Sequence, residues 1–360
     1  MKRFLKHIKK ILIVLGLALL IKLFSLQPAW VEAVYSNGIY IGISWVQRFL
    51  LGWIPFSVGD LLYAAAVIFL LVKLVKAVRT IFRRQADKGF WLRGLQQVVF
   101  WVLCVYVTFN LLWGLNYNRL GPARQLHLAM KSYTNDELKT VVQAIIRRLD
   151  ETNAGAVQVR EQYNSNRALF RKARESYQLA QPLYPFLRYR EASVKSSLFS
   201  YLGDYLGYTG YYNPFTGEAQ VNTTVPVFVL PFTTCHEIGH QLGYAKENEA
   251  NFAGYLSAKS STDMAFRYSV YLDLYGYSIR ELYGRDSMAA KALILQAPPQ
   301  VKKDFAELRA FDARYQNPLE PYIRRLYGEY LRANQQPHGL QSYSEVMAFL
   351  VAYYRKYGEI

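Results

Sequence analysis

Cysteine is nearly missing from this chain. Two in 360 residues, Cys104 and Cys235, exclude a disulfide framework and leave room for one bridge at most. Acidic residues are also scarce, 26 against 43 basic ones, for a formal net charge of +17. The mean hydropathy of −0.01 is too high for a disordered chain and too low for one embedded in a membrane throughout. A repeat of fixed period is lacking, and so is any RNA- or DNA-binding module. The shortage of acid is uneven. Residues 1–116 hold fourteen basic and three acidic residues, and residues 117–360 hold 29 and 23. A positive excess inside an apolar third points to membrane orientation, and no nucleic-acid partner is expected.

Three apolar stretches predict membrane helices at about residues 9–28, 59–78 and 95–115, each close to the roughly 20 residues that a span requires. The first also has the basic head of a signal peptide. Ser25 to Glu32 reads SLQPAWVE, however, without a small-x-small cleavage site, so an uncleaved anchor is expected. Basic residues precede the first stretch (Lys2, Arg3, Lys6, Lys9, Lys10) and flank the second and third (Lys73, Lys76, Arg79, Arg83, Arg84, Lys88, Arg93). Basic flanks stay cytoplasmic, which places the N-terminus inside and residues 117–360 outside. The apolar piece at 39–53 is broken by Gly, Pro and Arg48 and reads as interfacial or re-entrant; as a fourth span it would reverse that side. Membrane lipid is therefore an expected partner.

Beyond residue 116 the composition is ordinary globular. Thr134-x-x-Glu137 has the form of a capping box, followed by Leu138, Val141, Val142, Ile145, Ile146 and Leu149 at helical spacing. A more polar helix is predicted over about 157–179, where Arg167, Arg171, Lys172 and Arg174 form a solvated face. Residues 219–224 and 225–230 read as short extended segments, and helices resume after Asn251. The fold expected is mainly α with a small β element.

The chemistry sits in His236-Glu237-Ile238-Gly239-His240. On a helix, residues four apart share a face about 5–6 Å apart, so two imidazoles reach one Zn²⁺. Glu237, beside the open metal position, serves as general base and then acid. A chain of this composition would contain roughly 0.003 such matches by chance. Gly243 can end the helix in a left-handed conformation. A third ligand is required, and Glu247 or, alternatively, Glu249 can supply it from a following helix; their faces differ by about 200°, so both cannot. Asn251, one turn after Glu247, can orient a ligating histidine. His127 and His338 read as loop histidines, and Cys235 as a small buried residue.

The segment HEIGHQLGYAKENEANFAGYL resembles the active-site segment of zincin-type metallopeptidases with a glutamate ligand. The longer pattern of FSVGDLLY at residue 56, GYYNPFTGEAQVN and HEIGH resembles a bacterial membrane family catalogued as domain-of-unknown-function family 3810. Together these resemblances imply a zincin-like domain (117–360) behind a membrane domain (1–116) in the bacterial cytoplasmic membrane. They also imply Zn²⁺ as cofactor and hydrolysis of a peptide or protein substrate. The spacing from His240 to Glu247 is shorter than in most glutamate zincins, and the corresponding metzincin position falls on Lys246, which is unsuited to zinc. The zincin comparison further implies that Ala219, Gln220, Val221 and Asn222 form an edge strand for substrate, and that an oxyanion donor is needed, with Tyr211, Tyr212, Arg267, Tyr268 and Tyr271 as candidates. The alternative is a catalytically silent membrane scaffold or receptor, distinguished by indifference to loss of Glu237.

Overall fold

The computed structural model describes residues 2–360; Met1, at the head of the expected cytoplasmic flank, lies outside the described residues. The N-terminal part consists of α1 (Lys2–Ser25), α2 (Pro28–Trp30), a π-helical stretch (Val31–Ile39), α3 (Tyr40–Leu51), α4 (Val58–Phe82) and α5 (Lys88–Leu112). A 3₁₀ turn then leads to α6 (Gly121–Gln125), α7 (Asn135–Val159), α8 (Asn166–Ala180), β1 (Val194–Ser196), α9 (Ser200–Leu206), β2 (Gly210–Asn213) and β3 (Glu218–Val221). The chain ends in helices: α10 (Leu230–Gln241), α11 (Glu247–Lys259), α12 (Met264–Arg285), α13 (Ser287–Gln296), α14 (Pro299–Tyr315), α15 (Glu320–Ala333) and α16 (Val346–Tyr357).

The mainly helical architecture with a small sheet follows the sequence pattern. The capping box at Thr134 and Glu137 forms in both halves, and α7 turns Leu138, Val142, Ile145 and Leu149 inward. These pack with Phe266, Val270 and Leu274 of α12 in one core. Full burial of such a side chain is worth about 1.5–3 kcal/mol, so this helix pair is the main brace of the domain. The second extended segment does not form: residues 225–229 are turns. Pro226 and Pro231 lack the N–H that a ladder requires, and Val225, Phe228 and Leu230 fill the core instead.

Two helices, α4 and α5, are long and apolar enough to cross a membrane. The first expected span differs. Ile8–Ser25 joins Pro28–Leu51 at a bend of 96°, and the two arms make a third crossing only if taken as one broken span or re-entrant loop. Three lysines, Lys9, Lys10 and Lys22, dilute the first arm. Beyond the bend, α3 does not extend as a span but packs on the domain. Its Tyr40, Ser44 and Arg48, one turn apart, are buried, while Ile41, Trp45 and Phe49, and Trp53 just beyond the helix, face outward.

The base of α4 is fastened to the sheet. Val58 N and Gly59 N donate to the Glu218 carboxylate at 3.2 and 2.6 Å, and Gln220 Nε2 donates to Ser57 Oγ at 2.8 Å. A buried carboxylate is thus satisfied by the free amides and positive pole of a helix start. Asp60 accepts from Leu198 N at 2.6 Å and from the Tyr211 hydroxyl. The FSVGD stretch is therefore the clamp between the apolar helix α4 and the domain. The sheet runs β1-β3-β2, with β1 parallel and β2 antiparallel to β3.

Candidate metal centre

Helix α10 carries His236, Glu237 and His240, and all twelve of its residues are buried. A buried helix end leaves carbonyls that need partners. Here they come from the N-terminal third. Trp113 Nε1 donates to His240 O at 3.0 Å, Tyr40 OH and Arg48 Nη1 to Gln241 O at 2.8 and 3.1 Å, and Arg119 Nη1 to Leu242 O and Gly243 O at 3.3 and 3.2 Å. Two guanidinium groups also complement the negative pole of the helix. Arg119 is held in turn by Glu32 at 2.9 Å. The end of α10 thus rests on the residue that follows α5.

Only five residues separate α10 from α11. The reversal depends on Gly243 at φ +83°, a left-handed conformation in which a side chain is strained; an added Cβ would also meet Tyr40 and Asn116. The helices then cross closely. A Cβ on Gly254 would stand 3.1 Å from His236 N, and one on Gly239 3.1 Å from Ala250 O. This close crossing lets Glu247, the first residue of α11, reach back to both histidines despite the short spacing.

The three ligand-type atoms, one from each of His236, His240 and Glu247, lie within 4.8 Å of one another. Glu247 Oε2 is 3.3 Å from His236 Nε2 and 3.4 Å from His240 Nε2. The opposite ring nitrogens are engaged. His240 Nδ1 is 2.7 Å from Tyr244 O, and His236 Nδ1 is 2.6 Å from Asn251 Oδ1, whose amide nitrogen donates to Tyr343 O at 3.2 Å. A carbonyl oxygen only accepts, so each Nδ1 carries a proton, and in the neutral ring each Nε2 presents a lone pair to the carboxylate. Lone pairs facing a carboxylate oxygen repel unless a cation stands between them.

The electrostatics say the same. Burial disfavours charge on His240, yet the Glu247 carboxylate outweighs it and raises the imidazole to about 9. His236 is lowered, chiefly by burial. Glu247 is held far below the usual carboxylate range: burial opposes its ionisation, but the two histidines overcome it. Without a metal, a proton supplies the missing positive charge. Glu247 Oε2 and Glu237 Oε2 are both buried without a hydrogen-bond partner, and burial pushes Glu237 up to about 8. Two imidazoles, a carboxylate and an orphaned buried oxygen fit a divalent ion of the zinc type. Replacing Asn251 with alanine is expected to weaken metal binding about 10- to 100-fold by releasing the His236 ring; competition against a chelating dye measures it.

The structure does not bring Glu249 to the histidines. It points to Lys246, 3.3 Å away, on another face of α11. The edge strand expected at Ala219, Gln220, Val221 and Asn222 is corrected: residues 218–221 form the central strand, paired on both sides and buried, so its backbone has no edge to offer. The edge toward α10 is β2. Asn222 N bonds Thr209 O, so alternation turns the backbone groups of Gly210 and Tyr212 away from β3. Among the expected oxyanion donors, Tyr268 and Tyr271 hydroxyls are engaged by Asp304 and Ile360 O, and Tyr212 by Tyr40. Arg267 reaches the sulfur of Met264.

Two tyrosines without any sequence signal stand at the centre instead. Tyr327 OH donates to Glu247 Oε1 at 2.9 Å and lies 3.2 Å from Tyr343 OH; the Tyr343 ring stacks along His236 with centroids 6.2 Å apart. They lie on α15 and the following 3₁₀ turn, at least 80 residues from the motif, so no local spacing could reveal them. Glu237, both histidines and both tyrosines line one cavity of about 690 Å³.

A family model, Protein of unknown function (DUF3810), matches residues 35–351. The chain belongs to the DUF3810 family. The matched region contains the clamp at FSVGD, α4 and α5, the sheet and the whole histidine–glutamate cluster, so the family unit joins the two long apolar helices and the domain in one piece. No curated protein and no solved structure matches the chain.

Proposed function

We propose that the chain is a membrane-anchored, zinc-dependent hydrolase of peptide bonds. The observation that supports this reading is the convergence of His236, His240 and Glu247 beside the unpartnered carboxylate of Glu237, on the wall of a cavity large enough for a substrate. His236, His240 and Glu247 would hold the ion, and zinc, when bound, supplies a Lewis acid that polarises a carbonyl and acidifies water. Glu237 removes a proton from the attacking water and returns it to the leaving amine nitrogen. The water oxygen remains on the carbonyl carbon as a new carboxyl group. Tyr343, whose hydroxyl meets only that of Tyr327, stands where it can donate to the developing oxyanion. The free edge of β2 at Gly210 and Tyr212, both on the cavity wall, is suited to align an extended peptide.

Basic flanks at residues 2–10 and 73–93 support a bacterial inner-membrane protein with three crossings and the domain on the extracytoplasmic side. The test uses the full-length chain purified in detergent and a quenched-fluorescence peptide library. One zinc per chain, cleavage lost on chelation and restored by Zn²⁺ are the expected results; cleavage indifferent to chelation would overturn the reading.

A further inference from the structure

The cavity does not end at the metal centre. From His240 it passes Trp113 and continues along one face of α5, lined by Phe109, Tyr106, Val105 and Val102, with Tyr63 of α4 and Lys22 of α1 also on its wall. Eleven residues of helix between Val102 and Trp113 correspond to about 16 Å. Both α5 and α4 are long and apolar enough to lie in a bilayer, so this arm of the cavity runs into hydrocarbon. While α5 packs along α1, α4 is not closely packed on either helix among the described residues, and the arm has an open flank.

The surface around the mouth continues the same apolar belt. Outward residues of α3, Trp45 and Phe49 among them, and Trp53 just beyond it are exposed although the helix is fixed to the domain by its polar face. An amphipathic helix with aromatics outward at the foot of two apolar helices is suited to the membrane interface. The metal centre therefore stands at the bilayer surface, one residue beyond the end of α5.

A soluble peptide would leave the apolar arm unused. A single extended hydrocarbon chain can follow the arm along its length. We propose that the substrate is a peptide anchored in the bilayer by an acyl chain, which lies along α5 from Trp113 to Val102 while the peptide lies against β2 with its scissile amide at Glu237. This inference rests on the peptidase reading above.

The test measures binding, which needs no turnover. Full-length Glu237→Gln protein in nanodiscs would be titrated with one heptapeptide, unacylated or carrying four-, eight- or twelve-carbon N-acyl chains, and with a twelve-carbon lysophospholipid, correcting for partition into empty discs. Referred to the peptide's concentration in the disc lipid, the twelve-carbon peptide is expected to bind at least 10-fold tighter than the unacylated one. Val105→Trp, a change on a lipid-facing position, is expected to weaken the twelve-carbon peptide at least 10-fold and to leave zinc content unchanged. Affinity independent of chain length, or unaffected by Val105→Trp, would overturn the proposal. Equal binding of the lysophospholipid would also overturn it, by assigning the groove to a lipid. Zinc content of the same samples separates the two ideas. Zinc without acyl dependence sinks this inference alone, and absence of zinc sinks the peptidase reading beneath it.

Discussion

His240→Ala is expected to leave the purified chain with almost no bound zinc, where the unaltered chain is expected to carry one ion. The loss in affinity should exceed the 10- to 100-fold typical of removing an outer partner, because a ligand atom itself disappears. The substitution is also a clean one. Trp113 is bonded to the backbone carbonyl of His240, not to its ring, so the contact between α10 and the end of α5 persists in the variant. Thermal melting supplies a second readout. Zinc at a thousand times its Kd stabilises the unaltered chain by about 4 kcal/mol, and this increment should vanish in the variant. Equal zinc content in the two proteins, by elemental analysis, would refute the metal centre.

Glu237→Gln should have the opposite signature: zinc retained and hydrolysis lost. Glutamine keeps the size of the side chain and lacks the carboxylate that accepts the water proton. General acid–base catalysis of this kind is worth about 10²- to 10⁴-fold, and the loss should fall in kcat rather than KM. Glu237 accepts no hydrogen bond from the protein at Oε2, so no structural partner is orphaned by the change. Undiminished turnover would show that Glu237 does no chemistry and would favour a silent scaffold. The pair of variants separates binding from reaction: one empties the site, and the other disarms it.

Several features were legible in the chain alone because they depend on neighbours within a turn or two. The capping box at Thr134, the i,i+4 histidines and the turn at Gly243 are local; Asn251 was placed by its spacing from Glu247, though its contact with His236 forms across the crossing of α10 and α11. Even the reach of Glu247 was partly legible, since α11 begins with it and Asn251 follows one turn later. What separated Glu247 from Glu249 was the crossing of α10 and α11, set by Gly239 and Gly254 touching backbone across the interface. Small residues in a sequence do not say which helix they will meet.

The errors have physical causes as well. Residues 219–222 alternate as a strand should, but edge or centre depends on what pairs with them, and β1 and β2 come from elsewhere in the chain. The reading of 39–53 as interfacial or re-entrant agrees with its bend and outward aromatics, and only its packing shows that Tyr40 and Arg48 cap α10. Tyr327 and Tyr343 belong to a chain with 30 tyrosines, and nothing nearby marks these two.

By itself, the amino-acid sequence determined a basic apolar third, a mostly helical remainder and one helix able to present two imidazoles and a carboxylate on one side. These follow from composition and periodicity, which are properties of short stretches. The tertiary structure alone decided that Glu247 completes the cluster, that β2 carries the free edge, that two tyrosines face the site and that the cavity descends along α5. Those features bring together residues far apart in the chain, and their positions follow from how buried faces, unpaired carbonyls and close-packed glycines are satisfied at once.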